Sequence, residues 1–396
     1  MTSLAGSPAG HSMPVLLTQG FRPFFLAAAL WAAAAIALWI VMLATGAAIP
    51  SRFDALAWHI HEMLFGFTMA AVGGFLLTAI PNWTKRLPVG GRPLALLAGL
   101  WLLGRIACLF SVLIPAWLSV LADLSFPTVL VLVAAREIVA GGNWRNLPMA
   151  APVTVLGVAN LLMHLEALGV ALPEGLGWRL GLVAAIVLIS VIAGRIVPTF
   201  TRNWLAKRPN APVPAAPGLI DRAALGLLHG GLIGWTVFPS FRPVGLVLLL
   251  AAVLNLWRLL RWRGQATAAE PLLLILHIGY AWLVLGAALL GLSMLGVGVP
   301  QSAAVHALTA GAIGTMVLAI MTRATRGHTG RALAADRGTR LIYILVTLAA
   351  ITRIAAAFGA DWTMALLVAA ACLWIAAFGG FVWHYGPMLT RSRLAN

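Results

Sequence analysis

Long apolar runs broken by short polar clusters dominate this chain. Twelve runs are long enough to cross a bilayer, at roughly 24–44, 56–80, 94–111, 116–139, 147–168, 178–199, 220–238, 243–260, 271–292, 301–322, 340–358 and 362–386. About 20 apolar residues as a helix span the hydrocarbon layer, because each residue rises about 1.5 Å. The pattern predicts an all-α polytopic membrane protein of about 12 transmembrane helices. The breaks between helices 3 and 4, 7 and 8, and 11 and 12 are short and predict tight hairpins. Between helices 6 and 7, Pro209, Pro212, Pro214 and Pro217 predict an extended linker.

Composition agrees. Of 396 residues, 62% are hydrophobic and 9% charged, a balance that excludes a water-soluble fold. The 26 Lys and Arg outnumber 10 Asp and Glu. In a soluble protein that excess would suggest nucleic acid. Here the basic residues sit in short loops, so no nucleic-acid partner is expected and the charge reports topology. With the N-terminus in the cytoplasm, 20 Lys and Arg fall in cytoplasmic segments. Only Arg52, Arg179 and Arg242 face the other side, and Arg105, Arg195 and Arg353 lie within spans. Positive loops stay inside, so both termini are expected in the cytoplasm of a multi-pass protein of a bacterial inner membrane, against lipid. Residues 1–23 then form a cytoplasmic segment, 24–386 one transmembrane domain and 387–396 a cytoplasmic tail. No signal peptide is expected. Cys108 and Cys372 lie within spans and read as buried thiols without disulfide or zinc spacing.

Orientation assigns a depth to each ionisable side chain, and such residues inside a membrane are functional candidates by default. His59 and His61, in Trp58-His59-Ile60-His61-Glu62-Met63, start helix 2 near the outer surface. His306 lies five residues into helix 10, at matching depth. On a regular helix His59 and His61 point about 200° apart, so only one of them can face a shared centre. His59 shares a stripe with Gly66 and Gly73, and His306 with Ala310 and Gly314. Two axial imidazoles could therefore hold a haem between small-residue faces, with His61 serving a propionate, a second site or the outer surface; the alternative is interfacial histidines, and the glycines by themselves read as helix packing. Arg105 and Arg353, also in the outer half, could bind propionates; an Arg105–Asp123 ion pair is an equal reading. His229 and His277, at similar depths, could form a second site for copper or another haem. His164, near Asn160 and Glu166, is a weaker outer candidate. His384 reads as interfacial, and His11 and His328 as cytoplasmic. The acids near the core, Glu62, Asp123 and Glu166, all lie outward, so any protons consumed are expected from outside.

The sequence also echoes itself. A shift of 247 residues places His59 on His306, Thr68 on Thr315, Met69 on Met316 and Thr78 on Thr325. One residue out of register, Arg105-Ile106-Ala107 meets Arg353-Ile354-Ala355. The spacing admits a weak four-helix repeat used three times, or chance matching in apolar sequence.

Four blocks resemble the NnrS family of bacterial membrane proteins. They are Gly20-Phe21-Arg22-Pro23-Phe24-Phe25, the Trp58 to Met63 block, Gly194-Arg195-Ile196-Val197-Pro198 with Thr199 to Trp204, and His306 through Met321-Thr322-Arg323 to Gly327-His328. The resemblance implies about twelve helices, haem b and copper, and a role with nitric oxide. A haem-dependent oxidoreductase acting on nitric oxide, with electrons from a membrane quinol or another donor, is one expectation. A haem or nitric oxide sensor and a transporter with His59, His61 and Arg105 along a polar path are the others. A looser likeness is to the catalytic subunit of haem-copper oxidases, with twelve helices and haem ligands on helices 2 and 10. Here helix 10 has one histidine rather than two and the three-histidine copper site is missing, so an oxygen-reducing centre is not expected.

Overall fold

A computed structural model describes residues 13–209 and 211–394. Among them every regular element is a helix. Twelve long helices follow in order: α1 Phe21–Thr45, α2 Ala55–Thr84, α3 Arg92–Leu109, α4 Ala116–Ala140, α5 Ala150–Ala167, α6 Leu176–Leu205, α7 Leu219–Val237, α8 Arg242–Arg261, α9 Pro271–Leu295, α10 Gln301–His328, α11 Arg337–Ala355 and α12 Thr363–Thr390. Eleven are long and apolar enough to cross a membrane. The exception is α7, where Asp221, Arg222, His229 and four glycines dilute the apolar run. Its cost is offset locally, because Asp221 pairs with Arg258 at 3.1 Å and Arg261 at 3.0 Å on α8. Residues 1–12, including His11, lie outside the described residues. Within the rest, α1 begins three residues before the expected span, and α12 runs on to Thr390, into the expected tail.

Chain neighbours pack side by side around the bundle, and α12 closes the ring against α1. The Gly20 to Phe25 block makes this closure. Arg22 Nη1 donates to the carbonyls of Leu389 at 2.8 Å and Arg391 at 2.9 Å. The guanidinium of one helix start thus caps the otherwise unpaired carbonyls at the end of α12. Helices α2, α6 and α10 form the middle. Their most apolar stretches are 72%, 56% and 67% buried, against 33–44% for most of the others; α9, at 61%, is the exception. The central helices recur every four, the order a four-helix unit used three times would produce.

Polar end residues set the helix starts. Asp54 accepts from the Ala57 N–H at 2.8 Å to start α2. Asp336 accepts from the Thr339 N–H at 2.9 Å to start α11. Partial burial opposes ionisation of Asp336, but the Thr339 N–H and hydroxyl, His384 and Arg326 outweigh it and hold the carboxyl below its usual range. A carboxyl depressed in the folded state contributes stability in full above its unfolded pKa, near 4, and loses it as pH falls through the folded value. Asp336→Ala is therefore expected to lower stability by about 1 kcal/mol at neutral pH. Thermal unfolding in detergent should show that difference shrinking on acidification below about pH 4. A difference constant with pH would remove the ionised cap.

Candidate functional site

Two helices that position the site are not regular α-helices. In α2, Ala55–His61 is α-helical, Glu62–Thr68 is a π-helical stretch, and α-helix resumes at Met69. In α10 the order repeats, with π-helix over Ala307–Ile313. Each wide stretch follows directly on a histidine, His61 or His306, and the two start 245 residues apart. Such insertions often mark functional sites because they loosen the backbone ladder and turn the residues beyond. The loosened groups are satisfied by side chains. Thr68 Oγ1 donates five residues back to the Met63 carbonyl at 2.8 Å, and Trp101 Nε1 donates to the Gly66 carbonyl at 3.0 Å. Residue patterns do not announce the widening.

Both wide stretches border one cleft, lined also by Trp39 of α1, Trp178 and Leu182 of α6, Arg353 of α11 and Trp374 of α12. It holds about 1080 Å³ free of protein atoms, its open mouth included. His59 and His306 both line it. The His59 ring stacks on Trp39, with centroids 4.1 Å apart and planes inclined by 23°. Its Nδ1 is buried without a protein partner. His306 Nδ1 lies 2.7 Å from the Ser302 carbonyl. A carbonyl only accepts, so Nδ1 carries the proton and Nε2 keeps its lone pair. This tautomer suits a metal ligand, with the remote nitrogen anchored by the backbone. Arg353 reaches the Ser302 hydroxyl at 3.4 Å and makes no ion pair among the described residues. Met63 adds a thioether to the wall.

From this cleft the cavities continue through the bundle. A second borders the first at Thr68 and is almost wholly apolar. It meets a third at Phe25, Phe75, Ile196 and Ile320, which ends beside Arg323 and His328.

His61 and Arg105 do not line the cleft. They belong to a fully buried polar cluster among α1 to α5. Arg105 donates to Glu62 at 2.5 Å and to Asp123. Glu62 also accepts from Trp31 Nε1 at 2.7 Å and lies 3.1 Å from His61 Nδ1. Asp123 Oδ2 lies 3.1 Å from His61 Nε2, 2.8 Å from Asn160 Nδ2 and 3.0 Å from His164 Nε2. The Arg105 guanidinium is thus committed to carboxylates, and the ion-pair reading describes where it sits. Arg353, which a shift of 248 residues sets against it in the sequence, faces the cleft instead.

One expectation is corrected, and one alternative is decided. His229 and His277 do not converge. His229 Nε2 bonds Ser190 Oγ at 2.8 Å, and His277 Nε2 bonds Thr201 Oγ1 at 2.9 Å. Those partners lie eleven residues apart on α6, about 16 Å at helical rise, too far for one copper ion. Gly66 and Gly73 do not receive a flat ring either. A Cβ on Gly66 would sit 2.5 Å from Trp31 Nε1, and one on Gly73 3.1 Å from Phe126. These glycines admit neighbouring aromatic side chains, as small residues do between membrane helices. Gly314 similarly admits Trp374, while Ala310 does border the cleft. Gly66→Val should push Trp31 off Glu62 and lower stability by about 1–3 kcal/mol, read as a shifted thermal transition in detergent. An unchanged transition would mean that the bundle yields there.

The sequence reading missed Trp39, Ser302, Met63 and the convergence of Cys108, Asp123, Asn160 and His164. An Asn160–His164 spacing of four was the one local signal for that cluster. Nothing among curated proteins matches the sequence. The model of the NnrS protein family matches residues 15–393, nearly the whole chain, and this multi-pass membrane protein belongs to the NnrS family.

Proposed function

We propose that the cleft between α2 and α10 holds a haem b through His59 and His306, and that the protein acts in nitric oxide metabolism or resistance as a redox protein of a bacterial inner membrane. Family membership supports a membrane protein associated with nitric oxide. The single observation that carries the haem reading is the pair of imidazoles on one cleft, each with a ring nitrogen that no protein group occupies. The residues fit the group. Aromatic and aliphatic walls suit a flat apolar ring, and Arg353 is a guanidinium free to meet a propionate. Haem would supply an iron that accepts or donates an electron and that would take nitric oxide only where one of the two imidazoles yields its position.

The chain's own groups do the rest. Ser302 fixes the tautomer and direction of His306. Trp39 restrains the His59 ring by stacking alone, so His59 is the less firmly anchored of the pair. The apolar second cavity, which shares Thr68 with the cleft, offers little to a charged solute and suits an uncharged diatomic. Electrons would come from a membrane quinol or another donor. The basic loops favour an orientation with the cleft toward the outside.

The test is an optical spectrum of detergent-purified protein, oxidised and reduced, with and without nitric oxide, beside metal analysis. A b-type spectrum that shifts with nitric oxide supports the reading. Binding without turnover would make the protein a sensor. Colourless, metal-free protein after expression with ample haem would overturn it.

A further inference from the structure

The buried cluster on α2 to α5 carries a second site. His61, Cys108, Asp123 and His164 each offer one donor atom, and these atoms all lie within 4.8 Å of one another. Each comes from a different helix: α2, α3, α4 and α5. All four residues are buried. We propose that these four side chains bind one transition-metal ion of the zinc or copper class, separate from the His59–His306 cleft and independent of the haem reading.

Three observations favour a metal over a plain ion-pair network. The first is convergence. His61 Nε2 and His164 Nε2 lie 3.1 and 3.0 Å from Asp123 Oδ2, and the same His61 nitrogen lies 2.8 Å from Asn160 Oδ1. Two imidazole nitrogens and a carboxylate oxygen thus meet beside Cys108, and an ion held there would turn them from hydrogen-bond partners into ligands. Tetrahedral ligands at 2.0–2.3 Å stand about 3.3–3.8 Å apart, so small shifts of these side chains suffice.

The second is the surrounding shell. Glu62 Oε1 lies 3.1 Å from His61 Nδ1, the carboxylate–histidine arrangement that points the other ring nitrogen at a metal. Arg105 holds Glu62 and Asp123 in turn, and the Phe53 ring stacks on His61 with centroids 4.6 Å apart, covering it. The third is charge. Arg105 gives the two buried carboxylates, Glu62 and Asp123, one positive charge, and His61, with a ring nitrogen 3.1 Å from each, gives a second only when protonated. A divalent ion with Arg105 balances both carboxylates and a Cys108 thiolate, which coordination would deprotonate. Two imidazoles, a thiolate and a carboxylate are a donor set for zinc or copper rather than magnesium or calcium.

The experiment measures metal per protein by mass spectrometry after purification and titration with Zn²⁺, Cu²⁺ and Cu⁺, with haem quantified on the same samples. Wild type should hold one equivalent of metal besides haem iron. Cys108→Ser and His164→Gln should lower that affinity at least tenfold and keep their haem, whereas His229→Gln and His277→Gln should leave it unchanged. X-ray absorption of the wild-type metal should show a sulfur neighbour near 2.3 Å; this decides the matter even where a variant fails to fold. No tight metal in wild type, full retention in both variants, or a shell without sulfur would overturn the site. Loss of haem in His59→Ala with this metal retained would show that the two proposals stand or fall separately.

Discussion

His59→Ala and His306→Ala should each lose most of the haem, with affinity lowered at least about 100-fold. Altering an outer partner of a metal ligand costs 10–100-fold, and these substitutions remove the ligand itself. Both imidazoles line the cleft, and neither has a competing role. His59 Nδ1 is buried without a partner, and His306 uses only Nδ1, on the carbonyl and hydroxyl of Ser302. Neither variant strands a buried charge, so the bundle should still fold. Pyridine haemochrome analysis of detergent-purified protein measures the loss. Haem retained in full by both variants would remove these two histidines as ligands. Arg353→Ala should have a smaller effect, weakening retention without abolishing the spectrum, because a propionate contact adds to the iron bonds rather than replacing them.

Arg105→Ala should be the most destabilising single change outside the cleft, at about 3–5 kcal/mol. The Arg105 and Asp123 side chains are only 2% and 1% exposed, and Glu62 is fully buried. Removing the guanidinium leaves two buried carboxylates without their permanent cation, and a buried ion pair broken on one side costs that much. Fluorescence-detected size exclusion after a heat series would measure it, with Arg52→Ala at the surface as the control. A variant as heat-stable as wild type would mean that another cation neutralises Glu62 and Asp123. Metal analysis of the same sample would then show whether the bound ion does so.

Much of the fold was legible because a bilayer imposes one rule. A spanning segment must satisfy its backbone internally, so a long apolar run is a helix. The twelve runs correspond to α1 to α12; the expected hairpins α3–α4, α7–α8 and α11–α12 are joined by 110–115, 238–241 and 356–362, while α9–α10, expected to have a longer break, is joined by 296–300 alone. α7 was recognised as a helix from length, although its charges and glycines keep it below the apolarity of the others. The candidate site was legible only in part. Assigning depth from loop charge put His59 and His306 at one level, and the structure places them on one cleft. The same reasoning grouped His229 with His277, which bond different turns of α6, because depth says nothing about which side of a helix a residue occupies. Arg105 was open between a propionate and Asp123, because two residues on neighbouring helices at equal depth may or may not face one another.

What the sequence determined by itself is therefore one-dimensional: the helices, their order, the expected side of each loop, and the depth of every ionisable group. Each follows from a segment's own composition and the 1.5 Å rise of a helix. Tertiary structure decided the angular information. It turned His59 toward Trp39 and His306, and His61 toward Asp123 and His164, from one helical turn. It widened α2 and α10 into π-helix beside the cleft, and it gathered Cys108, Asp123, Asn160 and His164 from three helices. The physical reason is that helix rotation is set by packing against several neighbours at once. In a chain that is 62% hydrophobic, nearly every face is apolar enough to pack, so local pattern leaves that rotation open.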